Sequence, residues 1–387
     1  MLRNDLKNSI SKIFDDKYYK IWHLGNQLVI SYILKLFKEM NVYAVLLRQP
    51  LSISNIIDNC KFHKQAFIPL EWIMKFLISQ GVISEAGNIP SFYRLVDEYA
   101  CEIPEKIEKT MLTIDPTLFS FCELTKVAFQ EYPNFFRGKK GVEILFSSDR
   151  LKLWDQYFSN NVGYKAYNKL ASETACYWLS TCNCQRILEL GAGSGSATIC
   201  LLRDLAKVRF TERISKYIFT DTSPLLLKIG REKLKENLLI ENASFVTQRL
   251  NFNISFRTQN ILPGSIDIVY AVNAAHVADD ILFTLKEIFD SLKVKGSVIL
   301  TECIRSKTAP YPFQEVVFNM LESYTNVVLN AHYRPVHGFL SIQNWIDLFN
   351  VVGFEEIEVF CNVDRENCKS MQKPKIAMVI RGQKSEK

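Results

Sequence analysis

The run Ile187-Leu188-Glu189-Leu190-Gly191-Ala192-Gly193-Ser194-Gly195-Ser196 limits what this chain can fold into more than any other stretch. An apolar strand carrying an acidic residue opens into a turn with glycine at every second position. Glycine lacks the Cβ that keeps a ligand away from the backbone, so such a turn can press against a flat, polar small molecule. The spacing is G-x-G-x-G, whereas the dinucleotide fingerprint is G-x-G-x-x-G, and Ser196 stands where the third glycine of that fingerprint belongs. Nothing in this turn requires a pyrophosphate.

Three further apolar segments follow. Tyr217-Ile218-Phe219-Thr220 ends in Asp221, Ile266–Val272 reads as a third buried strand, and Ser297-Val298-Ile299-Leu300-Thr301-Glu302 reads as a fourth. Short apolar runs separated by helical patterns predict a parallel sheet covered on both faces. In a doubly wound α/β sheet the first two strands end side by side, and ligands lie across their carboxyl ends. A carboxylate at that edge, such as Asp221, can accept hydrogen bonds from both hydroxyls of a ribose.

These pieces resemble the class I S-adenosylmethionine-dependent methyltransferases. The resemblance covers E-L-G-A-G-S-G from Glu189 to Gly195, the acidic strand end at Asp221, the D-I-V-Y-A-V-N segment from Asp267 to Asn273, and the strand reaching Glu302. It implies a Rossmann-like, seven-stranded α/β domain with S-adenosyl-L-methionine as cofactor. On that resemblance the glycine turn (Glu189, Gly191, Gly193, Gly195) approaches the amino-acid part of the cofactor and Asp221 holds its ribose. The same resemblance implies Asn251 near the adenine, with Thr222 and Asn273 completing the cofactor-binding set.

Composition sets the outer limits. A chain of 387 residues is comfortable for two cores. Net charge is +6 with Lys and Arg spread along the chain, so no nucleic-acid footprint is expected. Ten cysteines show no disulfide framework, Cys182 and Cys184 forming a C-x-C and the others lying scattered; no metal site is expected. Reduced thiols and a polar N-terminus point to a cytoplasmic protein. The apolar stretch 27–47 is interrupted by Lys35, Lys38 and Glu39, so it does not read as a membrane span.

The front of the chain reads differently. Apolar residues from Ile21 to Phe37 recur at helical spacing, Ser52 can cap a short helix through Cys60, and 67–80 gives another helix. Val82-Ile83-Ser84-Glu85 and Phe92-Tyr93-Arg94-Leu95 then read as a hairpin. This order resembles the winged-helix N-terminal domains of small-molecule O-methyltransferases, where the fold serves dimerisation and builds a wall of the substrate pocket; a homodimer is the corresponding expectation. DNA binding is the other use of such a fold, and the second helix carries only Lys75 as a basic residue. The expected organisation is a helical winged-helix-like domain over 1–105, a helical linker or lid over 106–175, and the cofactor-binding domain over 176–387.

Between the domains, Phe136-Arg137-Gly138, Leu145-Phe146, an aromatic segment and Asn168 precede the glycine turn. This succession, with Phe219-Thr220-Asp221-Thr222-Ser223, resembles the C-methyltransferase domains of polyketide synthases. Tyr157, Tyr164, Tyr167 and Asn168 are the polar groups expected near substrate, with Phe313 and His337 further along the chain; aromatic packing is the competing reading of each ring. Arg137, Lys139 and Lys140 read as a solvated turn or as a contact for the phosphate of a carrier arm or coenzyme A.

Asn273-Ala274-Ala275-His276 follows the third strand read here, and Glu302 ends the fourth. Methyl transfer from a sulfonium needs alignment and a nucleophile that has lost its proton. A neutral imidazole is a suitable base near pH 7, and a carboxylate on its far nitrogen fixes the tautomer. A His–Glu pair so placed resembles the dyad of polyketide C-methyltransferases; a His after the same strand also resembles the base of plant-type O-methyltransferases. Three readings follow: C-methylation of a small-molecule or carrier-protein-bound acyl substrate, O-methylation of a small molecule, and a cofactor-binding regulator without chemistry.

Overall fold

Buried apolar runs become interior strands because both of their faces must be covered. In the computed structural model, which describes residues 3–86, 91–95, 101–147, 150–179, 185–237, 244–362 and 373–386, these runs form one seven-stranded sheet. Its strands are β1 (Arg186–Leu190), β2 (Lys216–Asp221), β3 (Ser244–Arg249), β4 (Ile266–Val272), β5 (Leu292–Cys303), β6 (Phe354–Cys361) and β7 (Ala377–Lys384). The spatial order is β3-β2-β1-β4-β5-β7-β6. All neighbours are parallel except β7, which runs antiparallel to both β5 and β6. The fold class expected from the sequence is present.

The order reverses between β2-β1 and β4, and a crevice at such a switch point is where an α/β sheet binds ligands. Ile187, Leu188, Val269, Val298, Ile299 and Leu300 are all fully buried, as continuous apolar strands require. The helix Ile342–Val352 is opened by a Ser341 capping box and closed by Gly353 at φ +99°. β3 was not read as a strand; its register runs Ser244 to Arg249 against Lys216 to Asp221. Its presence makes Ile266–Val272 the fourth strand of the sheet and the strand of Glu302 the fifth. Cys182 and Cys184 lie outside the described residues.

Two compact units make up the chain: Met1–Asp15 with Gly163–Thr308 and Asn326–Lys387, and Asp16–Val162 with Ala309–Thr325. The first holds the sheet. The second is mainly helical: the long helix Asp16–Glu39 is followed by Ile53–Cys60, capped by Ser52, then by Phe67–Ser79. An antiparallel pair, Ile83–Glu85 with Tyr93–Leu95, comes next. Lys75 on the second of these shorter helices is paired with Glu71 at 2.7 Å. Among the described residues no helix is long and apolar enough to cross a membrane.

The segment Ala309–Thr325 is anchored in the helical unit by a buried carboxylate. Glu315, fully buried, accepts hydrogen bonds from the Trp72 indole (2.9 Å) and the Tyr324 hydroxyl (2.8 Å). Glu315→Leu leaves both donors without that acceptor, and each orphaned buried group costs about 1–3 kcal/mol. We expect the Leu variant to lose about 2–5 kcal/mol of unfolding free energy, seen as a lower urea midpoint, and Glu315→Gln, which keeps one acceptor oxygen, to lose less.

Candidate active site

The glycine turn after β1 is forced by geometry. Gly191, Gly193 and Gly195 hold φ of +62°, +55° and +83°, a region that side chains rarely adopt. A Cβ on Gly191 would lie 2.5 Å from the Cβ of Ala274, whereas one on Gly193 would meet nothing within 4 Å. The turn is therefore packed at one end and open at the other, as a cradle for a flat ligand must be. A Cβ on Gly195 would lie 3.5 Å from the Cα of Gly230, and a Cβ on Gly230 would sit 2.6 Å from the Phe219 ring. Gly230 thus lets the helix Pro224–Glu236 lie against the turn, a role the sequence reading missed.

Asp221 ties the two neighbouring strand ends together. Its carboxylate accepts the backbone N–H of Gly193 (3.0 Å) and of Ser223 (2.8 Å). Burial raises its pKa, and these backbone bonds work against that rise. Thr222 is exposed, and its carbonyl accepts from the Arg249 side chain (3.1 Å). Asn251, just past β3, accepts the Asn253 N–H on Oδ1 (2.9 Å). Asn273 follows β4 at φ +50° and accepts the Cys303 N–H on Oδ1 (2.7 Å). Its Nδ2 is buried with no hydrogen-bond partner among the described residues, so a polar donor is available beside the turn.

Glu189 lies inside the sheet beneath the turn. One carboxylate oxygen accepts both the Thr198 hydroxyl (2.7 Å) and the Tyr217 hydroxyl (2.6 Å). Burial pushes its pKa up to about 7, opposed by those two hydrogen bonds and assisted by the charge of Asp221.

The two predicted catalytic side chains meet. Glu302 is fully buried; one oxygen lies 2.6 Å from His276 Nδ1, and the other accepts the N–H of Ala275 (2.9 Å). An ionised Glu302 makes Nδ1 the protonated nitrogen and leaves Nε2 with its lone pair. His276 is itself buried, with its ring 4.7 Å from the ring of Phe339. The carbonyl of His276 accepts from Arg334 (3.0 Å), a fully buried residue to which the sequence reading assigned no role.

Of the expected substrate-facing residues, Tyr167 comes next to this cluster, its hydroxyl 3.5 Å from Cys303 Sγ. Tyr164 packs edge-on against Tyr167, and Asn168 is buried on the same helix, Val162–Leu179. His337 is half-buried on the segment that carries Arg334 and Phe339. Tyr157 and Phe313 belong to the helical unit. There Tyr157 packs on Trp154, Phe158 and Phe318, while Phe313 packs on Trp22 and Phe121 and fills the space beside Gly25.

The raised pKa of Glu189 has a consequence for stability. The folded chain keeps this proton up to about pH 7, whereas the unfolded chain releases it near 4.5. The contribution of Glu189 is therefore complete below pH 4.5 and is lost as the pH rises towards 7, a decline on the order of 3 kcal/mol. Glu189→Gln, neutral throughout, should flatten this part of the profile in urea titrations; the same slope in both proteins would show the burial argument to be wrong.

A protein-family model described as a methyltransferase domain matches residues 188–298. The highly reducing polyketide synthase PKS2 of Leptosphaeria maculans is 25% identical over 222 residues, covering 57% of this chain and 8% of the synthase. The chain thus spans only a small part of the length of such relatives. Among solved structures, the CurJ carbon methyltransferase matches with a TM-score of 0.80 at 17% identity, over 99% of this chain and 98% of that one. The citrinin polyketide synthase CMeT domain matches with a TM-score of 0.78 at 17% identity, over 99% and 96%. Residues 188–298 match a methyltransferase domain, and the glycine turn, the strand order and the solved likenesses agree on its Rossmann-like fold.

Proposed function

We propose that the chain methylates an acidic carbon of an acyl or β-ketoacyl substrate, free or bound to a carrier protein, with His276 as general base and Glu302 as its partner. The observation that carries this reading is the 2.6 Å contact between His276 Nδ1 and Glu302. It commits one ring nitrogen and leaves Nε2 to take a proton from carbon between two carbonyls, whose acidity matches an imidazole base. When bound, S-adenosylmethionine supplies an electrophilic methyl group on a sulfonium sulfur. The residues that fit it are the open turn at Gly193, the Asp221 carboxylate for the ribose, and the buried Nδ2 of Asn273. Glu302 stabilises the imidazolium that forms, and the apolar ring of Phe339 restricts water beside it. Relatives that are polyketide synthases support the acyl substrate class.

The helix, helix and hairpin of the front unit support a second reading, O-methylation of a hydroxyl by the same base, and with it dimerisation through that unit. Incubating the protein with labelled cofactor and a panel of β-ketoacyl thioesters and phenols separates the two, because the label ends on carbon or on oxygen.

His276→Ala should lower turnover by about 100-fold or more while cofactor affinity stays close to wild type. Unchanged turnover would remove His276 from the mechanism. Asp221→Ala should instead weaken cofactor binding measured by calorimetry, and an unaltered dissociation constant would end the ribose assignment.

A further inference from the structure

Arg334 is fully buried, on a segment that contributes neither to the glycine turn nor to the His–Glu pair. Its Nη2 donates to the carbonyl of His276 (3.0 Å), and its Nη1 donates to the carbonyl of Ala278 (2.5 Å) and lies 3.4 Å from that of Asp279. One guanidinium therefore gathers three carbonyls, that of His276 in the short turn Ala275–Val277 and those of Ala278 and Asp279 just after it. The arginine is presented by a paired loop, in which the N–H groups of Asn330 and Arg334 each donate to the other's carbonyl at 2.9 Å. The same segment reaches the turn twice more: the Val328 N–H donates to the Asp279 carbonyl (2.7 Å), and the Phe339 ring packs on the imidazole.

A buried guanidinium is expensive to desolvate and is retained where its rigid fork of donors is used. Here the fork takes the carbonyl of His276 itself. Glu302 already holds the Ala275 N–H and the Nδ1 of the ring. With Arg334 added, the backbone on both sides of the His276 Cα is fixed, and so is the direction in which the ring leaves it. Removing the guanidinium strips three carbonyls of a donor, and the turn can then relax.

We propose that Arg334 is a positioning residue for His276, holding the turn through its carbonyls so that the imidazole stays on Glu302 with Nε2 presented to substrate. The proposal rests on the reading of His276 as the base.

The test uses the full chain with Arg334→Met, which keeps the bulk and loses the donors, and Arg334→Lys, which keeps a charge and some of the bonds. The Met variant should lose about 30- to 100-fold in kcat, with the cofactor dissociation constant within about twofold of wild type, as displacement of a reacting group predicts. The Lys variant should regain part of the loss. In a His276→Ala background, Arg334→Met should add nothing, because the group it positions is already gone. Undiminished kcat in the Met variant, or a full additive loss in the double variant, overturns the proposal. Amide hydrogen exchange gives a reading independent of turnover: exchange across residues 275–280 should quicken about tenfold or more in the Met variant while β1 amides keep their wild-type rates. Unchanged exchange at 275–280 overturns the proposal even if His276 is the base. Should His276→Ala keep full activity, the base assignment falls, and faster exchange still supports Arg334 as the residue that holds the turn. Should the Met variant fail to fold, the Lys variant carries both measurements.

Discussion

Two turns at the carboxyl edge of the sheet come so close that only a hydrogen atom fits between them. Gly191, leaving β1, would place a Cβ 2.5 Å from that of Ala274, which follows β4. The two strands are parallel neighbours, with Leu190 opposite Ala271, so both chains leave the sheet side by side. That contact sets the distance between the turn that cradles a ligand and the turn that carries His276. A larger residue at either position would drive the two apart. The requirement at Gly191 is double, since its φ of +62° also disfavours a side chain.

Polar groups then lock this arrangement from the sides. Asp221 joins the end of β2 to the glycine turn through the Gly193 N–H, and Asn273 joins the end of β4 to β5 through the Cys303 N–H. Glu302 divides its two oxygens between a ring nitrogen and a backbone amide of the same short turn. Each carboxylate or amide is thus held at the edge by backbone donors, which have little freedom to move. A site built this way is organised before any ligand arrives.

Much of this was legible in the residues because buried parallel strands announce themselves as largely apolar runs. Ile187 to Leu190, Tyr217 to Thr220 and Ile266–Val272 are of this kind. β3 was not, since it is an edge strand and mixes Ser244, Thr247, Gln248 and Arg249 with only two apolar residues. His276 and Glu302 were legible as two groups at strand ends, but their meeting depends on the register between β4 and β5, which no local pattern encodes. Arg334 was invisible for a similar reason: its partners are more than fifty residues away, and the surrounding polar cluster reads as an ordinary loop. Gly230 carried a signal that went unused, since an isolated glycine within a helical pattern often marks a close approach. Tyr157 and Phe313 are both buried among other rings of the helical unit.

The place of β7 in the sheet bears on how the chain matures. β7 is the last strand to be made, yet it lies between β5 and β6 and pairs with β5 from Ser297 to Cys303. During ribosomal synthesis β5 therefore emerges with one flank unpaired, and about seventy further residues must follow before its outer neighbour exists. Until then the strand bearing Glu302 is a sheet edge, open to mispairing with other nascent chains. Completion of the sheet beside Glu302 thus waits for the last of its seven strands to be synthesised.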